Sequence, residues 1–173
     1  MKNAETPVFK LILLGGQCTL GDALVSERLQ RQHEVTLILD DLNQPQARPG
    51  LHVKNGGLAS ADQAEQSIAG GSAVVCLLDG LAPGDFSRQG LMTQALLAGM
   101  ARTPLRRIVL VGQFGGGAAP LAELLQAGGL RWTLVNTPLS EHPDSLAGIA
   151  AGIADLLDLN LHVGEQVNFI EAP

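Results

Sequence analysis

The chain has no tyrosine, and aromatic residues make up only 3% of its 173 positions. The missing tyrosine excludes a Tyr-Lys proton relay. The scarcity of aromatics leaves Leu, Val, Ile and Ala to build the core, as in sheets whose strands are buried on both faces. Cysteine is nearly absent too. Two residues, Cys18 and Cys76, cannot form a disulfide framework, and a reducing cytoplasm is the expected location. Charged residues amount to 16%, with a net charge of −6 and no basic run, which argues against nucleic acid or an anionic membrane as partner. No stretch approaches the roughly 18 consecutive apolar residues of a membrane span, and MKNAETPVFK lacks the apolar core of a signal peptide. His33, His52, His142 and His162 are scattered without ligand spacing, so no metal site is expected.

What the chain does contain is hydrophobic residues, at 46%, arranged in short runs that alternate with helical patterns. Strands are expected at Lys10–Leu14, Glu34–Leu39, Leu51–Lys54, Ala73–Leu78, Ile108–Gly112, Trp132–Asn136 and near Gln166–Glu171. Helical spacing links Leu20, Leu24, Val25 and Leu29. It recurs after a capping box at Ser60 and Gln63, through Ser87–Thr103 on Leu91, Ala95, Leu96 and Met100, then over Leu121–Gln126 and Ile149–Leu157. Strand–helix alternation of this kind predicts one α/β domain over residues 1–173, a Rossmann-type, doubly wound, mostly parallel sheet of order 3-2-1-4-5-6 with helices on both faces. Residues 1–7 and the Gly112–Pro120 loop are expected to be flexible.

The chemistry is concentrated in KLILLGGQCTLGDALVSERL, residues 10–29. An apolar strand runs into glycines and then a helix, which is the context of a pyrophosphate-binding loop: backbone amides at a positive helix end, with glycine where a side chain would intrude. Gly15, Cys18 and Gly21 hold the G-x-x-G-x-x-G spacing, with Cys18 in the middle glycine's place. Gly15, Gln17, Cys18, Thr19, Leu20 and Gly21 are therefore candidate cofactor contacts. About 20 residues further on, Asp40 ends the second strand, where a carboxylate bonds an adenosine ribose and favours NAD over NADP. A solvated strand end would explain it as well. In the predicted strand order, Leu77, Leu78 and Gly112 end beside the loop. Cys18 admits two readings: a thiol whose pKa the helix N-terminus lowers, or a tolerated small residue. Cys76 reads as core, and Trp132 as packed under the sheet edge or turned toward the cofactor.

Across nearly its whole length the chain resembles short atypical short-chain dehydrogenases/reductases, in the NmrA-like and flavin reductase or biliverdin reductase B-like branch. The opening KLILLGGQCTLGDALVSERLQRQHEVTLILDD is similar to that family's GATGxxG loop, "GHEVT" and second strand. Asn55-Gly56-Gly57-Leu58 matches a "GDL" turn, AGGSAVVCLLDG an "AGADAVIxxLG" strand, LRRIVLVGQFG a "VKRxVxVSSxG" strand and GGLRWTLVNTP an "SGLDWTIVRP" strand. The resemblance implies NAD or NADP as cofactor. It adds Gly57, Leu58 and Gln113 to the candidates and places Asn136 and Thr137 near a nicotinamide.

Several positions depart from the family pattern. Cys18 replaces its central glycine and Asp40 an arginine often linked to NADP. Gly57 replaces an aspartate near the adenine, Gly112-Gln113 replace two serines, and Asn136-Thr137-Pro138 lacks an arginine. No catalytic residue is assigned. Two functions stay open: a minimal NAD(P)H-dependent oxidoreductase acting on a small molecule, or a non-catalytic regulator or scaffold with a vestigial site. Self-association is left open as well.

Overall fold

The computed structural model describes residues 9–40, 48–114, 119–137 and 143–169. In chain order these form β1 (Lys10–Leu14), α1 (Thr19–Gln30), β2 (Glu34–Leu39), β3 (Leu51–Asn55), α2 (Ala61–Ile68), β4 (Ala73–Leu77) and α3 (Leu78–Leu81). There follow α4 (Phe86–Met100), β5 (Arg107–Gly112), α5 (Ala119–Ala127), β6 (Arg131–Asn136), α6 (Pro143–Asp158) and β7 (Glu165–Asn168). All seven strands lie in one parallel sheet of order β3-β2-β1-β4-β5-β6-β7. This is the expected Rossmann-type order, with β7 added beside β6.

Alternation along each strand divides the apolar side chains between two cores. Leu11, Leu13, Val75 and Val109 face α1 and α6, packing with Leu24, Val25 and Ile153. Ile12, Leu14, Val74, Cys76 and Leu110 face the other way, onto Ala64, Ile68, Leu96 and Leu125 of α2, α4 and α5. Cys76 is fully buried there, as its apolar strand implied.

The structure departs from the sequence expectations at several points. Leu78 begins a one-turn helix instead of ending β4. Leu91, expected on the buried stripe of α4, is 67% exposed; the buried positions are Gln89, Thr93, Leu96, Gly99 and Met100. The helix turns a polar-looking face inward because Gln89 and Thr93 satisfy their polar atoms locally, Gln89 on Ala82 O and Thr93 on Gln89 O. Ser60 caps α2 by accepting from the Gln63 amide at 3.1 Å, while Gln63 Oε1 reaches the amide of Ala59, one residue before the cap. Trp132 sits at the N-terminal end of β6, buried, with its indole N–H on Gln126 Oε1 at 3.3 Å. It packs on α5, at the opposite end of the strands from the glycine loop. The readings made for residues 1–7, for His142 and for residues 115–118 of the Gly112–Pro120 loop lie outside the described residues.

Candidate functional site

β1 delivers the chain to the C-terminal edge of the sheet between β2 and β4, and the loop turns there into α1. Gly15 has φ +74, and a Cβ on it would lie 2.1 Å from Leu77 O at the end of β4. Both facts require glycine. Gly21 lets the first turn of α1 lie against the loop, since a Cβ there would be 2.1 Å from Gly16 O. Gly80, in α3, presses on the same loop from outside: its Cβ would stand 1.9 Å from Gly15 O and 3.2 Å from Cys18 Sγ. The residue pattern of the loop omitted Gly80, although the Gly/Pro content of DGLAPGD after β4 was a signal that backbone approaches backbone there.

Cys18 is the N-cap of α1, with extended backbone (φ −151, ψ 171). Its thiol turns inward: Sγ accepts from the Gly21 amide at 3.3 Å and donates to Gly15 O at 3.4 Å. The residue does what a capping serine does, with sulfur in place of oxygen. Burial raises its pKa, outweighing the Gly21 and Leu20 amides that favour the thiolate, and nearby Asp22 and Asp79 push the same way as burial. An activated thiolate is therefore not what the helix N-terminus produces here, and the small-residue reading fits the geometry.

Beyond the loop opens a cavity of about 500 Å³. Cys18, Thr19 and Leu20 form one wall. Leu77, Asp79 and Gly80 form the next, Val111, Gln113 and Thr137 the floor at the ends of β5 and β6, and Leu146 and Ile149 of α6 the far side. Thr19 and Leu20 open the helix, so their amides have no acceptor within it. These amides and the positive helix end suit a phosphate. Among the described residues Asp79 is the one charged side chain in this lining; its Oδ1 accepts from Gln89 Nε2 at 3.2 Å. The shape of the loop, the helix-start amides and the cavity together fit the nicotinamide and phosphate portion of a dinucleotide.

The candidates divide accordingly. Cys18, Thr19, Leu20, Leu77, Gln113 and Thr137 come together on the cavity, and Gly15 and Gly21 shape its rim. Gln17 is exposed on the loop. Asp40 is exposed at the end of β2 and lines no described cavity. Gly57 has its amide on Ser67 Oγ at 3.0 Å, and Leu58 is buried in the core. Gly112 is buried under Leu78, which faces a second, neighbouring cavity. Asn136 does not face the cavity: its Oδ1 accepts the Phe114 amide at 3.0 Å and fixes the turn after β5. Sequence reasoning missed Asp79, Gly80 and the α6 face.

A family model described as NAD(P)H-binding matches residues 15–150, most of the chain. The chain belongs to this NAD(P)H-binding family. Solved structures agree on the fold. A candidate epimerase from Bacteroides thetaiotaomicron is 18% identical, with TM-score 0.74 over 96% of this chain and 99% of that one. A candidate NADH-flavin reductase from Streptococcus pneumoniae is 20% identical, with TM-score 0.71 over 95% and 100%. A short-chain dehydrogenase/reductase from Veillonella parvula, in complex with NADP, is 12% identical, with TM-score 0.72 over 94% of each chain. No curated protein matches the sequence. Among the described residues of this NAD(P)H-binding protein, no helix is long and apolar enough to cross a membrane, and no cluster of His, Cys, Asp or Glu could hold a metal ion.

Proposed function

We propose that this NAD(P)H-binding protein is a minimal NAD(P)H-dependent oxidoreductase acting on a small molecule. The observation that carries this reading is the cavity of about 500 Å³ running from the first amides of α1 to Gln113 and Thr137. When bound, the dinucleotide supplies the hydride. The chain's own residues hold and shield it. Thr19 and Leu20 offer amides to the phosphates, Gln113 and Thr137 offer polar atoms to the carboxamide, and Leu77, Val111, Leu146 and Ile149 keep water from one face. In this reading Asp40, exposed at the end of β2, accepts from a ribose hydroxyl; its position about 20 residues after the glycine loop supports NAD over NADP. A regulator without turnover is the second reading, favoured by a lining whose ionisable side chains, among the described residues, are Cys18 and Asp79.

Calorimetric titration with NADH and NADPH tests the binding step, and the tighter ligand is expected to be NADH. Thr19→Asp places a carboxylate at the start of α1, where the helix dipole favours it, so the fold holds while the phosphates are repelled. Its affinity should fall about tenfold or more, equivalent to about 1.4 kcal/mol. Absence of binding at millimolar NADH and NADPH would overturn the reading. Binding without NADH oxidation against any acceptor would leave the regulator.

A further inference from the structure

We propose that the groove between α4 and α5 is a second binding site, shaped for an uncharged, largely apolar ring compound. The groove encloses about 280 Å³ and adjoins the dinucleotide cavity, the two sharing Phe86 and Gln113. Its walls are Leu78, Leu97, Phe114 and Leu124, and among the described residues no charged side chain lines it. An ion entering would lose hydration with no counter-charge to replace it, whereas a flat ring meets two phenylalanines and aliphatic walls. Thr93 already donates to Gln89 O at 2.8 Å, and Gln89 Nε2 is taken up by Asp79 and Ala82. Gln94 remains to hold one hydroxyl or carbonyl on the ring.

Gly90 gives an independent reason to read the groove as kept open. It lies inside α4, where glycine weakens a helix relative to alanine, and it borders the groove. A Cβ there would meet nothing within 4 Å, so the fold has no use for the missing side chain. Gly99 in the same helix differs: its Cβ would come within 2.7 Å of Ala64 Cβ and 2.8 Å of Glu65 N, so close packing on α2 explains it. Gly148 in α6 also has open space but borders neither cavity, so the weight falls on the position of Gly90. Bare helix backbone at Gly90 widens a groove that any larger residue would narrow. The volume suits one or two fused rings. That the occupant is the second substrate rests on the oxidoreductase reading; its binding does not.

The test uses the full chain without dinucleotide and two probes of one shape, naphthol and naphthalenesulfonate, followed by calorimetry and ligand-detected NMR. Naphthol should bind, and the sulfonate about tenfold more weakly or not at all. Gly90→Leu fills the groove and should weaken naphthol about tenfold, with a raised melting temperature and NADH affinity unchanged. Gly90→Ala, which adds a single methyl, should stabilise the helix and retain most naphthol binding. No naphthol binding, equal binding of the sulfonate, or naphthol binding indifferent to Gly90→Leu would each overturn the proposal. So would a wild-type dimer that Gly90→Leu converts to a monomer by light scattering, which would assign the groove to a second copy of the chain. A failure of the oxidoreductase reading shows separately, as absent NADH binding, whatever naphthol does.

Discussion

Cys18 stands at a helix N-terminus, where a thiol is commonly activated, yet burial wins over the amides that favour its thiolate. The geometry explains the outcome, because Sγ is folded into the loop between Gly15 O and the Gly21 amide instead of being presented to solvent. Iodoacetamide should therefore label native Cys18 more slowly than a free cysteine at the same pH. A rate above that of the free amino acid, read by mass spectrometry, would rule the capped geometry out. Cys76 should not react until the protein unfolds, since burial pushes its thiol up to about 12. At this scale the sequence showed Gly15 and Gly21, because the local turn demands them. Gly80 was not legible, because its neighbour Gly15 O lies 65 positions away in the chain and only the packing of α3 on the loop brings them together.

Between elements, α1 and α6 are joined by an ion network that no local pattern announces. Arg28 is fully buried, bonded through Nη1 to Asp158, with its guanidinium 5.1 Å from the Phe9 ring centroid. Arg31 reaches Asp155 at 2.8 Å, Asp158 at 2.9 Å and Glu27 at 2.9 Å, and His33 Nε2 lies 3.6 Å from Asp158. Burial alone would raise the Asp158 carboxyl, but hydrogen bonds from Arg31 and Arg28 bring it below its ordinary 3.8. Its folded pKa is thus depressed, so its contribution is present above about 3.8 and is lost as pH falls through the lower folded value. Burial, then the charge of Arg28, lowers His33 from 6.5. The folded state thus favours the neutral ring, and stability declines as pH drops below 6.5 toward that lower value. Melting temperature should fall in two steps on acidification, a shallow one below pH 6.5 and a steeper one below about 4. Asp158→Asn should cost about 2 to 3 kcal/mol at neutral pH, the low side of breaking a buried pair because Asp158 keeps 22% of its side chain exposed. The variant should also lose most of the steeper step. Denaturant unfolding at several pH values measures both, and a variant with the wild-type acid limb would remove Asp158 from the account.

Across the whole molecule, one buried cation links the sheet to the connection that leads into the last strand. Arg107 of β5 carries no carboxylate partner among the described residues; it donates to Arg131 O at 3.0 Å, Thr133 Oγ1 at 2.9 Å, Leu156 O at 3.3 Å and Leu161 O at 3.5 Å. Burial and then the charge of Arg131 bring it down to about 10, so it stays protonated at neutral pH. It ties β5 and β6 to the end of α6 and to the connection that leads into β7. Arg107→Met keeps the volume and removes these bonds, at a cost of about 1 to 3 kcal/mol. Amide exchange over Glu165–Asn168 should accelerate more than over β1 or β4. Uniform exchange across the sheet would mean that β7 is held by its ladder with β6 alone.

The sequence by itself determined the strand order, the parallel sheet and the position of the glycine loop. The loop's position depends on periodicity and turn chemistry within a dozen residues, whereas the parallel order follows from strand–helix alternation along the whole chain and the doubly wound arrangement it implies. Tertiary structure decided what the loop faces. The inward turn of Cys18, the approach of α3 and Asp79, the withdrawal of Asn136 toward Phe114 and the groove beside Gly90 all depend on distances between segments far apart in the chain. No spacing rule within one segment encodes such distances, because they are set by how helices settle on the sheet they cover.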